Sequence, residues 1–300
     1  MKKIILIPGI LLLSFTFCLS QTNIQEDGFT ILKVGISASM TGKGEAVSAS
    51  QGDATILWYN PSASLNCQSS NFCFSHNSYI FKNNIENASL IIKKGNHSYG
   101  LGVIFLNYGR EDKRDTSAEL IGEWHAIDLV VAGNYAKRIS PYLSFGTNLK
   151  MVYEKIDTES SYGFATDFGI LYDSFIKGLN LAFVTQNIGF STKMKKERIK
   201  FPLTYKVGFN YDISLTNQSK LSFSTDFIKY IDDDTKINMG MEYAYSEVIY
   251  TRSGYKLNYD EQDFSAGLGL KINNYRFDYS FTPYKNDVGN AHRFSISYDF

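Results

Sequence analysis

Stretches of about ten residues with apolar–polar alternation recur from residue 71 to the last residue, and they constrain the fold more than any other feature. The closing HRFSISYDF puts Phe294, Ile296, Tyr298 and Phe300 on one face of a strand and Arg293, Ser295, Ser297 and Asp299 on the other. The same division runs through 143–153, 203–211, 221–227, 237–245 and 275–281. No segment past residue 71 carries a convincing helical period. Ten residues suit a tilted strand crossing a bilayer. Strands are expected at 71–80, 86–95, 97–109, 121–136, 141–156, 162–174, 177–189, 203–213, 218–229, 236–245, 247–257, 262–272, 274–283 and 291–300. That is about fourteen strands, an even number as single-chain outer-membrane barrels have.

Connections and charges agree with a barrel. The connections after even strands are short (KKGN, KRIS, LTNQS, NN), whereas GREDKRDTSAELIGE, STKMKKERIK, KYIDDDTK and PYKNDVGNA follow odd ones. Barrels have short periplasmic turns and longer outer loops. Lys150, Asp167, Lys206, Asp226, Glu242, Lys271, Arg276, Asp278, Arg293 and Asp299 all fall on polar faces. Facing lipid, a Lys or Arg at mid-depth costs about 2–4 kcal/mol, so the apolar faces are expected outward and the polar faces toward the lumen. The expectation is an all-β, transmembrane antiparallel barrel of residues 67–300, with the outer-membrane lipid around it. In 97–109 the alternation fails: Ile104 and Leu106 are apolar on the face that should be polar, and they mark a possible apolar lumen.

The N-terminus reads as a cleaved signal peptide, residues 1–20. Lys2 and Lys3 precede an apolar run too short to span a membrane, and Cys18-Leu19-Ser20 places small residues where a signal peptidase reads. Cys18 raises a lipoprotein as an alternative, but Ser-Phe-Thr-Phe before it is too bulky for a lipobox. The outer membrane of a Gram-negative-type bacterium is the expected location. Two cysteines remain, Cys67 and Cys73; in an exported chain they are expected to form a disulfide, with two free thiols as the other reading. The near-neutral charge gives no sign of nucleic-acid binding.

Catalytic and metal motifs are missing. The four histidines, His76, His97, His125 and His292, have no metal-ligand spacing, and neither a G-x-S-x-G elbow nor a Walker loop occurs. His292 near Ser295 is the one pair a membrane lipid hydrolase could use. The acidic stretches 232–234 and 260–263 lack calcium-loop spacing and read, like the basic 193–198, as solvated outer loops. No enzyme and no cofactor is expected.

Residues 28–66 break the barrel pattern and are rich in Gly, Ala and Ser. Residues 21–66 are expected to form a hatch inside the lumen; an extension lying across the barrel mouth is the other reading. Leu32, Gly35, Met40, Gly42, Gly44 and Ala46, then Gly52-Asp53-Ala54 and Tyr59-Asn60-Pro61-Ser62-Ala63, resemble the N-terminal signature of the PorV/PorQ family, which is related to FadL-type transporters. The closing HRFSISYDF resembles the insertion signal, carried by Phe294, Ile296, Tyr298 and Phe300, that barrel assembly machinery reads. The chain departs from the signature where Ser37-Ala38-Ser39 replaces Ala-Arg-Ala, and Tyr59 stands for a Trp. Gly35, Gly42, Gly44, Asp53, Tyr59, Asn60 and Pro61 are candidate hatch residues, structural or ligand-gating. The resemblance implies passage of a small hydrophobic ligand across the outer membrane. The alternative it implies is a non-catalytic role in type IX protein secretion or surface attachment, with secretion-system proteins as partners.

Overall fold

The computed structural model describes residues 28–195, 197–231, 233–286 and 288–300. The expected signal peptide and residues 21–27 of the expected hatch lie outside the described residues.

Fourteen strands close into an antiparallel barrel. They are β1 (Asn71–Ser78), β2 (Asn84–Lys94), β3 (His97–Arg114), β4 (Leu120–Ser140), β5 (Leu143–Ile156), β6 (Glu159–Asp173), β7 (Leu179–Ser191), β10 (Thr204–Ser214), β11 (Ser219–Tyr230), β12 (Thr235–Tyr245), β13 (Ile249–Leu257), β14 (Phe264–Ile272), β15 (Tyr275–Pro283) and β16 (Asn290–Asp299). Two short strands, β8 (Lys193–Met194) and β9 (Glu197–Arg198), form a separate hairpin between β7 and β10. Each barrel strand pairs with its neighbour along the chain, and β1 closes the ring on β16 with Asn71 opposite Asp299 and Ser78 opposite His292. Closure leaves no unpaired sheet edge, the condition for strands to stand in hydrocarbon.

The period-two pattern decides the faces. Phe209, Phe223, Phe227, Met239, Met241 and Phe277 are exposed on the outside, as are Phe294, Ile296, Tyr298 and Phe300. The charged residues of the polar faces are buried or half-buried inside, where Lys150 pairs with Asp167 at 2.7 Å and Arg252 with Asp278 at 2.6 Å. Each removes a charge from the lipid side and meets a counter-charge in the lumen.

One expectation about the connections is corrected. Residues 109–123 are mostly strand rather than loop: β3 and β4 run on past a bulge after Asn107, with Arg110 opposite His125 and Lys113 opposite Gly122. Backbone pairing satisfies the N–H and C=O groups of this polar stretch better than a long irregular loop does. The 191–200 connection likewise carries the β8–β9 hairpin.

Candidate functional site

Residues 28–66 are short turns rather than strands: 3-10 turns Thr30–Lys33, Ala54–Trp58 and Pro61–Asn66, and one helical turn α1 (Ala38–Thr41). Small side chains let this segment run close to the wall, and it meets inward-facing residues all around the ring. Ala38 N donates to Ser295 Oγ of β16 at 2.9 Å, and Thr41 Oγ1 shares a 2.7 Å hydrogen bond with Ser280 of β15. Val47 N, Ser48 N and Ser48 Oγ donate to Asp226 Oδ2 of β11 at 3.1, 3.0 and 2.7 Å. Asn148 Nδ2 of β5 donates to Leu57 O, and Gln186 Nε2 of β7 to Trp58 O, both at 2.8 Å. Trp58 Nε1 donates to Ser89 Oγ of β2 at 3.0 Å.

The candidate residues have definite places in this contact. Gly44 has φ +62 and lies against β13, where a methyl group at Gly254 would overlap its backbone nitrogen. A Cβ on Gly42 would come within 3.0 Å of Gly267 Cα on β14. At both points the backbone of the segment touches the backbone of the wall, an approach a side chain blocks. Gly35 offers its carbonyl to Arg293 Nε at 3.3 Å and to Asn77 Nδ2 at 3.4 Å. Asn60 caps the Pro61–Asn66 turn, its Oδ1 accepting from Ser62 N at 3.0 Å, while its Nδ2 donates to Ser48 O at 2.6 Å. Pro61 O accepts from Asn134 Nδ2 of β4 at 3.1 Å. Tyr59 is buried, and its phenolic oxygen accepts from Ile36 N at 3.3 Å.

Ion pairs hold the segment in the barrel. Asp53 is 2% exposed and caps the Ala54–Trp58 turn. Its Oδ2 accepts from Arg276 Nη2 of β15 at 2.7 Å and from Ser39 Oγ at 2.5 Å. Burial by itself would raise this carboxyl; the Arg276 guanidinium and the Ser39 and Thr55 hydrogen bonds hold it below the usual carboxylate range. Glu45 pairs with Lys256 of β13 at 2.5 Å and is held low against burial in the same way. Lys43 lies 4.0 Å from Glu242 of β12. The segment has no arginine at 37–39, and the guanidinium near Ser39 comes from the wall. Arg276 and Asp226 were legible as inward charges, Lys256 was missed, and nothing local in the sequence names the partners of any of them. Trp58, one place ahead of Tyr59, was missed; its ring lies where a Cβ on Gly102 would come within 2.5 Å.

Two cavities flank the segment. At the short-turn end a cavity of about 580 Å³ is lined by polar and charged groups, among them Lys43, Asp53, Glu242, Arg252 and Arg276. At the other end a cavity of about 50 Å³ lies among Ile31, Val34, Ile36, Trp58, Tyr59 and Ile104, with Lys206, Asn238 and Lys256 at its polar side. Ile104 and Leu106 both point inward and belong to the apolar cluster with Trp58 and Ile85. The alternation fails in β3 because this stretch of wall faces an apolar filling rather than the charged lumen.

One sequence expectation fails, and one pairing left open does not form. Cys67 and Cys73 are buried, separate thiols rather than a disulfide. Cys67 Sγ is turned toward Asp53 O at 3.6 Å and Cys73 Sγ toward Phe74 O at 3.8 Å. Burial pushes the Cys67 thiol up to about 12 and keeps it protonated. The His292–Ser295 pair does not form. Three residues apart on one strand, they lie on opposite faces: His292 Nδ1 meets Tyr279 OH at 2.8 Å, while Ser295 Oγ holds the inner segment. Among the described residues no group of three or more His, Cys, Asp or Glu is placed to hold a metal ion.

No protein-family model and no curated protein matches this sequence, so no sequence match carries the PorV/PorQ resemblance. Solved structures do match. The CymD monoaromatic hydrocarbon channel is 13% identical with TM-score 0.61, covering 89% of this chain and 98% of its own. The P. putida toluene transporter TodX is 9% identical with TM-score 0.61, covering 89% and 99%. A Pseudomonas aeruginosa FadL homologue is 9% identical with TM-score 0.53, covering 89% and 99%. These neighbours are channels and transporters rather than enzymes or secretion components, and the secretion alternative has no support among them. The chain shares the fourteen-stranded barrel fold of the FadL-type hydrophobic-compound channels.

Proposed function

We propose that this protein is an outer-membrane channel through which small hydrophobic compounds enter the cell. The observation that carries the reading is the inner segment lodged across a barrel of this fold, with apolar side chains gathered at one of its ends. Strand polarity places that apolar end, near Ile104, Tyr59 and Trp58, on the side of the longer connections, and the charged cavity on the side of the short turns. A compound arriving from outside therefore meets the apolar groups first and the inner segment next. Residues 28–66 act as the hatch. Their contacts with β11, β13, β15 and β16 include hydrogen bonds and ion pairs, which a shift of the segment exchanges for water, while Ile56, Leu57 and Trp58 share an apolar cluster with Ile85, Ile91, Ile104 and Val130 of β2, β3 and β4 and anchor the segment on that side. Residues 1–20 direct export and are removed.

Uptake of radiolabelled toluene by a porin-poor Gram-negative host expressing the protein tests the reading. Uptake faster than in the same host carrying empty vector is expected. Equal uptake, with the barrel shown to be in the outer membrane, overturns it.

A further inference from the structure

The small outer cavity is not purely apolar, and two polar groups on its wall, on Lys206 and Asn238, are unmet. Lys206, projecting from β10, makes no hydrogen bond and no ion pair among the described residues; its ammonium lies 5.8 Å from the centroid of the Tyr59 ring. Asn238, on β12, is 1% exposed and its Oδ1 has no hydrogen-bond partner. Both line the cavity, and only β11 separates their strands. Ile31, Val34, Ile104 and Ile228 supply apolar walls. A buried acceptor left unmet is costly, so a donor and an acceptor left open over one cavity mark a place for a group that answers both.

A hydroxyl is such a group. It accepts from an ammonium and donates to an amide oxygen. A carboxylate meets only half of the requirement: it offers Asn238 Oδ1 no proton, and it adds an anion where Glu45, Asp226 and Asp167 already surround Lys206. A bare hydrocarbon leaves both groups unmet. We propose that the outer cavity binds the hydroxyl of a small apolar alcohol or phenol, with Lys206 Nζ donating to its oxygen and Asn238 Oδ1 accepting its proton. This rests on the channel reading and names the class of compound that the channel prefers. The cavity as it stands, about 50 Å³, takes the head group, and a ring behind it requires the Ile31–Val34 turn to yield. That turn is held by Leu32 N on Phe29 O at 3.0 Å and Val34 N on Ile31 O at 3.3 Å.

Titration calorimetry on the detergent-solubilised mature protein tests this with three probes of one shape: p-cresol, toluene and p-toluate. The wild type is expected to bind p-cresol at least about tenfold more tightly than either of the others. Lys206→Met and Asn238→Leu, each confirmed folded by heat-modifiable mobility, are expected to bring p-cresol down to the level of toluene. Toluate binding tightest, toluene matching p-cresol, no binding of any probe, or folded variants that leave p-cresol binding unchanged each overturn the proposal. Cell uptake run in parallel separates the two readings. Uptake of toluene and p-cresol at equal rates overturns the hydroxyl preference alone, and uptake of neither overturns the channel as well.

Discussion

Arg276 Nη2 donates to Asp53 Oδ2 at 2.7 Å while its Nε donates to Asp278 Oδ2 at 2.9 Å, so one guanidinium ties the inner segment to the wall. Asp278 is also held by Arg252, at 2.6 Å, and Arg252 in turn reaches Glu242, at 2.5 Å. The contact is therefore one point of a charge network lining the short-turn cavity.

Removing the guanidinium strands a buried carboxylate. Arg276→Met is expected to destabilise the folded protein by about 3–5 kcal/mol, as breaking a buried pair from one side does. Denaturant unfolding in detergent measures it. Asp53→Asn in the same chain is expected to recover part of the loss, because the amide removes the unpaired charge. A double variant no more stable than Arg276→Met argues that the pair does not couple the segment to the wall.

The same carboxyl gives a pH dependence. Its folded value is depressed, so its contribution is present above the unfolded value, near 4, and is lost as pH falls through the folded value. Glu45 is depressed as well and acts in the same direction. Single-channel conductance in planar bilayers is expected to rise on acidification below about pH 4 as the segment loosens. Asp53→Asn is expected to raise conductance at neutral pH and to flatten the acid step. Conductance independent of pH in the wild type refutes the Asp53–Arg276 contact as what holds the segment in place.

Gly254→Ala forces the β13 backbone and Gly44 apart. An added methyl in a packed site costs about 1–3 kcal/mol, and here the segment rather than the closed sheet gives way. Higher open conductance with an intact, heat-modifiable barrel is expected. Gly133→Ala is the control, since nothing lies within 4 Å of the added atom. Equal behaviour of the two variants disproves close approach as the reason.

Cys67 and Cys73 are thiols shielded from solvent. Intact mass is expected to be unchanged by reduction. Alkylation by iodoacetamide at pH 8 is expected to be slow in the folded protein and complete at both residues after unfolding. Rapid loss of free thiol under native conditions contradicts the burial.

Phe300 is 54% exposed beside Tyr298, and its ring carries no core packing. Phe300→Ala is expected to lower the amount assembled in the outer membrane of a living host while leaving the refolded barrel as stable as the wild type, within about 0.5 kcal/mol. An equal loss in both assays makes the residue structural rather than a signal for the assembly machinery.

The barrel was legible in the residue pattern alone. Strand number, order and facing follow from period-two patterning, because a residue's face is fixed by its place along the strand, and lipid and lumen demand opposite chemistry of the two faces. The sequence also marked Ile104 and Leu106, where that demand is violated, and Asn60-Pro61, where a turn is written into local chemistry. What surrounds those residues was not legible. Asp53 meets Arg276 across 223 positions, and Val47 meets Asp226 across 179. Contacts between a coiled inner segment and a closed ring obey no spacing rule along the chain. The burial of Cys67 and Cys73 as separate thiols and the joint placement of Lys206 and Asn238 over one cavity were likewise decided only when the ring closed. Closure fixes which distant strands share the lumen, and so which charges, glycines and unmet polar groups face one another.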